Sequence, residues 1–233
     1  MLGVIVNTIA VLIGGTTGTL LKKGIPERIT NAVMVALGLC TIYIGIDGAL
    51  KGENTLVLII SMVIGTAIGT LIDIDKQINR FAKWIENKLS KNGRKIPVAE
   101  GIVTGTLLFC VGSMTIVGSL NSGLRNDNEM IYTKSMLDVC SSTMLASTLG
   151  VGVILAAVPL FIIQGGLVLA AGLLVNFLSD AAINEMTCTG SVIIIALGLN
   201  LTGISKFKVA NYLPAIVLAP IVTWLFSLLP FSI

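Results

Sequence analysis

Glu100 and Asp138 are carboxylates at or near apolar stretches, and a run of hydroxyls follows each of them. Glu100 precedes Thr104, Thr106, Ser113, Thr115 and Ser119, while Asp138 precedes Cys140, Ser141, Ser142, Thr143, Ser147 and Thr148. An ionised group in hydrocarbon costs about 2.5–3.5 kcal/mol even on insertion scales, so it normally faces a cavity or a partner. The chemistry expected of this pair is binding of a cation or proton, with Thr104, Ser113, Ser141 and Ser142 lining the route. A competing use places both acids at helix amino termini, where a carboxylate complements exposed N–H groups and the macrodipole. The hydroxyls favour the route, because a cap needs no such lining, although Ser and Thr also bond to the preceding turn. Gln164, ahead of Gly165 and Gly166, is expected to mark a helix break whose freed carbonyls line a cavity. Asn200 joins this pathway set as an amide inside an apolar block, with interhelical hydrogen bonding as the alternative use of both amides.

Enzyme chemistry is thinned by absence, and no enzymatic activity is expected. The 233 residues include no histidine, which excludes His-dependent triads and His-ligated zinc. No Gly-x-Ser-x-Gly elbow, Walker A loop or Gly-x-Gly-x-x-Gly fingerprint occurs. Cys40, Cys110, Cys140 and Cys188 show no Cys-x-x-Cys spacing, so neither a metal site nor a cofactor is expected. A disulfide between Cys140 and Cys188 stays open, because both fall near one predicted face. The net charge of +3 comes without a basic stripe interleaved with aromatics, so no nucleic-acid partner is expected.

The elements that must position these groups are read from apolarity. Hydrophobic residues make up 55% of the chain and charged residues 12%, with a mean hydropathy of +0.97, beyond what a soluble fold absorbs. The expected fold is all-α, a polytopic transmembrane bundle forming one integral membrane domain over residues 1–233. A bilayer crossing takes about 20 apolar residues. On that measure the chain divides into about eight spans: Leu2 to Leu21, Ile29 to Leu50, Thr55 to Ile74, Val98 to Leu120, Met136 to Ala156, Pro159 to Leu178, Thr187 to Ile204 and Tyr212 to Leu229. The fifth and sixth are cut at Pro159, because their joint apolar run is too long for one crossing.

Lys22 and Lys23 follow the first block rather than precede it, so that block is read as a retained helix. With both termini outside, Lys22, Lys23, Arg28, seven basic residues from Lys76 to Lys95, and Lys206 and Lys208 face the cytoplasm, as the positive-inside rule asks. Lys51, Arg125 and Lys134 are left outside, and Asp180 and Glu185 read as solvated boundary charges. Residues 75–97 form a basic connector. Its 75–94 part sets Ile78, Phe81, Ile85 and Leu89 at helical spacing beside Lys76, Arg80 and Lys83, as in a headgroup-layer helix on anionic lipid.

Two internal patterns bear on packing. Gly14/Gly18, Gly65/Gly69 and Gly101/Gly105 each end in Gly-Thr-Leu, and small residues four apart form a groove that admits a second backbone. Such faces also fit a second copy of the chain, so a homo-oligomer is expected. Ala36-Leu37-Gly38-Leu39 matches Ala196-Leu197-Gly198-Leu199, which suggests an inverted repeat of spans one to three and six to eight.

The stretches Leu137-Asp138, Leu145 to Val153, Gln164-Gly165-Gly166, Ala196 to Leu201 and Asn211 to Ala215, with Gly3 to Thr8 at the amino end, resemble the uncharacterised prokaryotic membrane proteins termed domain of unknown function 554. One departure is Val139, where the resemblance leads to glycine after the aspartate. The resemblance implies a multi-pass protein of the bacterial cytoplasmic membrane and carries no substrate, cofactor or catalytic residue with it. The residues themselves point to a secondary transporter or channel-like permease for a small solute or ion, the alternative being a non-transporting scaffold or accessory subunit of a membrane complex.

Overall fold

A backbone in lipid must satisfy its own polar groups, so apolar runs of this length become helices. The structure, a computed structural model, describes residues 1–22, 26–89, 98–111, 113–174 and 178–228. Lys23, connector residues 90–97, and the side chains of Lys22, Lys83, Ile85, Leu89 and Ser113 lie outside the described residues. Among those described, all regular structure is helical: α1 (Leu2–Lys22), α2 (Glu27–Ala49), α3 (Thr55–Ile72), α4 (Ile74–Leu89), α5 (Val98–Cys110) and α6 (Ser113–Arg125) lead into the second half. There follow α7 (Glu129–Leu149), α8 (Val151–Leu155), α9 (Ala157–Leu174), α10 (Asp180–Leu201), a 3-10 turn at Val209–Tyr212 and α11 (Leu213–Ser227).

Among the described residues, six helical stretches are long and apolar enough to cross a bilayer, or seven if the bent pair α5–α6 counts as one span. The sequence-based division into eight differs in three places. Its fourth span is broken: α5 and α6 meet at 60°. Its fifth and sixth divide at Gly150 rather than at Pro159, which sits in the first turn of α9, where a missing N–H breaks no helical bond. The polar α7, carrying Glu129, Lys134 and Asp138, is not among the six or seven.

Close helix contacts are made at glycine. Along α1 a Cβ at Gly3 would meet Asn128 and Ile131, one at Gly14 would meet Val139 and Ser142, and one at Gly18 would meet Thr143 and Ala146. The numbers rise together, so α1 and α7 run parallel. Gly65 and Gly69 abut Ala215 and Asn211, which sets α3 antiparallel to α11, while Gly101 lies against Gly152 of α8. The two Ala-Leu-Gly-Leu segments cross at their glycines: a Cβ at Gly38 would meet the Gly198 carbonyl at 2.9 Å, and one at Gly198 the Gly38 carbonyl at 2.8 Å. All six glycines of the Gly-Thr-Leu pattern thus face neighbours within the chain. Large apolar side chains such as Leu50, Leu71, Met136 and Leu173 remain exposed outside the bundle, the surface that lipid tails cover.

Two local features hold the ends of this arrangement. Glu185 is buried, not a solvated boundary charge, and its Oε1 accepts the Glu53 and Asn54 N–H groups at 2.6 and 2.7 Å, at the start of α3. Asn211 is buried and accepts the Asp75 N–H at 2.8 Å, tying α4 to the 3-10 turn. On α4, Phe81 and Trp84 are exposed and stacked with ring centroids 6.0 Å apart.

Gly150 alone joins α7 to α8, at φ 72° and ψ −143°. The chain reverses there, because α9 runs antiparallel to α1: Gly15 faces Ile154 and Asn7 bonds Gln164. A side chain in that backbone region costs about 1–3 kcal/mol. Gly150→Ala should therefore lower the melting temperature of the detergent-purified protein by several degrees. Gly166→Ala, with nothing within 4 Å of its Cβ position, should leave it unchanged or raise it. Equal melting temperatures in the two variants would remove the strained-turn reading.

Candidate functional site

Lys134 and Asp138 lie one helical turn apart on α7 and therefore share a face. Their side chains meet at 2.5 Å between Nζ and Oδ2 and are only 8% and 6% exposed. The order Lys-before-Asp is the less favourable one with respect to the helix dipole. Burial and neighbours therefore hold the pair, not local helix electrostatics. The side-chain amide of Asn7 on α1 lies within electrostatic reach of Asp138 and donates from Nδ2 to Gln164 Oε1 on α9 at 3.1 Å, both amides being fully buried. A polar chain of four residues thus links α7, α1 and α9. Asn7 Oδ1 and Gln164 Nε2 have no hydrogen-bond partner among the described residues.

The ion pair borders a cavity of about 250 Å³ formed by α2, α7, α10 and the α5–α6 break. Its polar wall includes Asp47, Lys51, Thr115, Lys134, Asp138, Ser141, Thr187 and Ser191. At the break the Thr115 hydroxyl donates to the Phe109 carbonyl at 3.1 Å, satisfying a group that the helix leaves open. A second cavity, of about 330 Å³, lies further along α10 and is bordered by Asp75, Asn79, Glu100, Asn200, Lys206 and Lys208. Between the two, Ile194 borders the first and Leu197 the second on α10, and Leu108 and Val103 do the same on α5. At 1.5 Å rise per residue these pairs are separated by roughly 4.5 and 7.5 Å along their helices. Leu107 and Thr104, almost fully buried, sit in this layer.

The family described as "Protein of unknown function (DUF554)" matches residues 2–224 of this sequence. The chain belongs to that family. This DUF554 member is 34% identical over 226 residues to a Bacillus subtilis (strain 168) protein named "Uncharacterized membrane protein YdfK", covering 95% of each chain. It is 32% identical over 223 residues to the "Uncharacterized protein YqgA" of Escherichia coli (strain K12), covering 94% of each. No solved structure matches it. With its apolar helices and membrane relative, the DUF554 chain is a multi-pass membrane protein.

The residues selected from sequence separate into groups. Asp138 and Ser141 border the smaller cavity, and Glu100 and Asn200 the larger. Thr104 lies in the layer between, its hydroxyl without a partner among the described residues. Ser142 turns away from the cavity: its Oγ donates to the Val139 carbonyl at 3.1 Å and packs against Gly14. Gln164 marks no break, since α9 runs unbroken from Ala157 to Leu174, and its amide serves the bond to Asn7. Asn200 accepts from Ser205 Oγ and Phe207 N and donates to the Phe207 carbonyl, each at 2.8 Å, so it braces the loop at the cavity floor. Cys140 and Cys188 are both free, and among the described residues no three His, Cys, Asp or Glu groups gather as a metal site.

Lys134 is the residue that sequence reading missed, placed there as an outside charge ahead of a span starting at Met136. The i, i+4 spacing to Asp138 was its signal. Removing one partner of a buried pair leaves an uncompensated charge, a cost of about 3–5 kcal/mol, whereas an apolar pair of similar volume is often neutral. In a buffer whose only cation is tetraethylammonium, Lys134→Met and Asp138→Asn should each lower the melting temperature. The Lys134→Met/Asp138→Leu double variant should melt above both. Single variants as stable as the parent would show that the pair is not buried in the folded protein.

Proposed function

We propose that this DUF554 protein is a secondary transporter or channel-like permease for a small solute or ion. The observation that carries the reading is the pair of charged cavities facing each other across an apolar layer of roughly one helical turn. That is the arrangement expected of a pathway closed at its middle, with binding groups on either side. The α5–α6 break supports it, since irregular backbone at membrane depth is tolerated where it lines a cavity. In this reading α7 also crosses the membrane, parallel to α1, which makes eight crossings. The Gly38–Gly198 crossing then lies near the axis of an inverted repeat, and both termini lie outside the bacterial cytoplasmic membrane. Thr104 occupies the gate, Asp138 with Ser141 the outer cavity and Glu100 the inner one. The protein is a permease, not an enzyme. Its basic α4 rests on anionic lipid with Phe81 and Trp84 in the interface, and self-association uses lipid-facing surfaces other than the occupied glycine grooves.

A ligand that binds the folded state stabilises it, by about 2.7 kcal/mol at a hundredfold excess over Kd. A thermal-shift panel of inorganic cations, amino acids, polyamines and small acids should contain a stabilising compound whose effect disappears in Asp138→Asn or Glu100→Gln. Flux of that compound into proteoliposomes should be lost in the same variants while the protein remains folded. Undiminished flux in both variants would overturn the assigned pathway. Absence of any stabilising compound, together with a stoichiometric partner on purification, would favour a scaffold.

A further inference from the structure

We infer that the Lys134 ammonium occupies, from within the chain, the subsite for the transported species, and that this species is a small ammonium-type cation. The inference rests on the permease reading and deepens it by naming a substrate class. Its first support is the geometry already present: a primary ammonium is seated on the Asp138 carboxylate at the wall of a cavity with room for a further small ion and water. A water takes about 30 Å³ of liquid volume, so a space of about 250 Å³ admits a small hydrated or methylated ammonium.

The second support is the polarity of the wall. The Thr115 hydroxyl donates to the Phe109 carbonyl, and the Thr187 hydroxyl donates to the Ile183 carbonyl at 2.7 Å. With their protons committed to backbone, both oxygens have only lone pairs to offer the cavity. These two oxygens accept N–H donors.

Charge balance provides the third support. With Lys134 in place, Asp47 and Asp138 are matched by Lys51 and Lys134 along the wall. Displacement of Lys134 leaves one net negative charge, which a monovalent cation restores. The displaced ammonium has carboxylates at hand, because an adjoining cavity of about 310 Å³ shares Met114 with this one and holds Asp127 and Glu129. The exchange breaks no covalent bond: the Lys134–Asp138 contact opens, the cation takes its place, and the lysine returns when the cation leaves. Lys134 thus acts as a tethered competitor that keeps the subsite filled between transport events.

The test removes the competitor. Lys134→Met keeps the side chain to within one atom of its length and deletes its charge, and the purified variant is heated in tetraethylammonium buffer, whose cation has no N–H, with ammonium, methylammonium or tetramethylammonium chloride added. Ammonium and methylammonium should raise its melting temperature saturably by roughly 4 °C or more. The parent protein should move by less than half as much, and the Lys134→Met/Asp138→Asn double variant should not move. Tetramethylammonium, which has no N–H to donate, should have no effect in any of them.

If Lys134→Met aggregates in tetraethylammonium, the same comparison is read as monodisperse yield, with recovery expected on extraction in ammonium alone. A folded variant indifferent to ammonium, a response to tetramethylammonium equal to that of ammonium, or no recovery of yield would each overturn the inference. Because these readings are of binding in detergent, a positive result without proteoliposome flux would retain the ammonium subsite and reject transport. Flux of another solute with no ammonium binding would do the reverse.

Discussion

Close approach of backbones at glycine is the constraint on which the rest of this structure depends. In lipid, helices gain nothing from hiding apolar surface, so they associate where shape lets them touch. Gly14 and Gly18 let α1 lie directly on α7, the most polar of the long helices. That contact brings Asn7 to Asp138 and keeps a charged helix inside an apolar bundle. Gly38 with Gly198 and Gly65 with Ala215 repeat the principle for α2 on α10 and α3 on α11. The glycines therefore do more than tighten a fold, because they make it possible for a lysine–aspartate pair to be housed there at all.

The pair in turn gives the site its character. A carboxylate alone in this position would carry a large desolvation cost, and a neutral core would carry none. Retaining both charges, with two buried amides extending the polar chain, is difficult to account for by packing. It is readily understood if the pair opens. The α5–α6 break, set against α10 where a Cβ at Gly190 would meet Val111, adds a second local irregularity at the same cavity. The opposite cavity, with Glu100, Lys206 and Lys208, is built instead from a helix start and a loop braced by Asn200. The two chambers thus differ in construction as well as in position.

Several misplacements share one physical cause. Hydropathy reports how apolar a segment is on average and is blind to which side of a helix a polar group takes. Ser141 and Ser142 are neighbours in sequence, yet one borders the cavity and the other packs on Gly14, because adjacent helical residues point about 100° apart. Lys134 and Glu185 look like boundary charges until the surrounding helices are present: they bury Lys134 with Asp138 of its own helix, and they bring Glu185 to the N–H groups of Glu53 and Asn54 that lead into α3. Gln164 looked like a break because glycines follow it, but an amide with a buried partner can stay inside a continuous helix.

By itself the sequence determined the helical class, the membrane environment and the amphipathic character of α4, and it pointed to Asp138 and Glu100 as acids beside apolar spans. These follow from local composition and period, which need no knowledge of neighbours. Only the tertiary structure decided that the Lys134–Asp138 pair is enclosed within the protein, that Asn7 and Gln164 extend that pair, and that the fourth span breaks beside the cavity. Each of these depends on which helices touch. That choice is made by the match of glycine to backbone between segments more than a hundred residues apart, and no local pattern in the chain contains it.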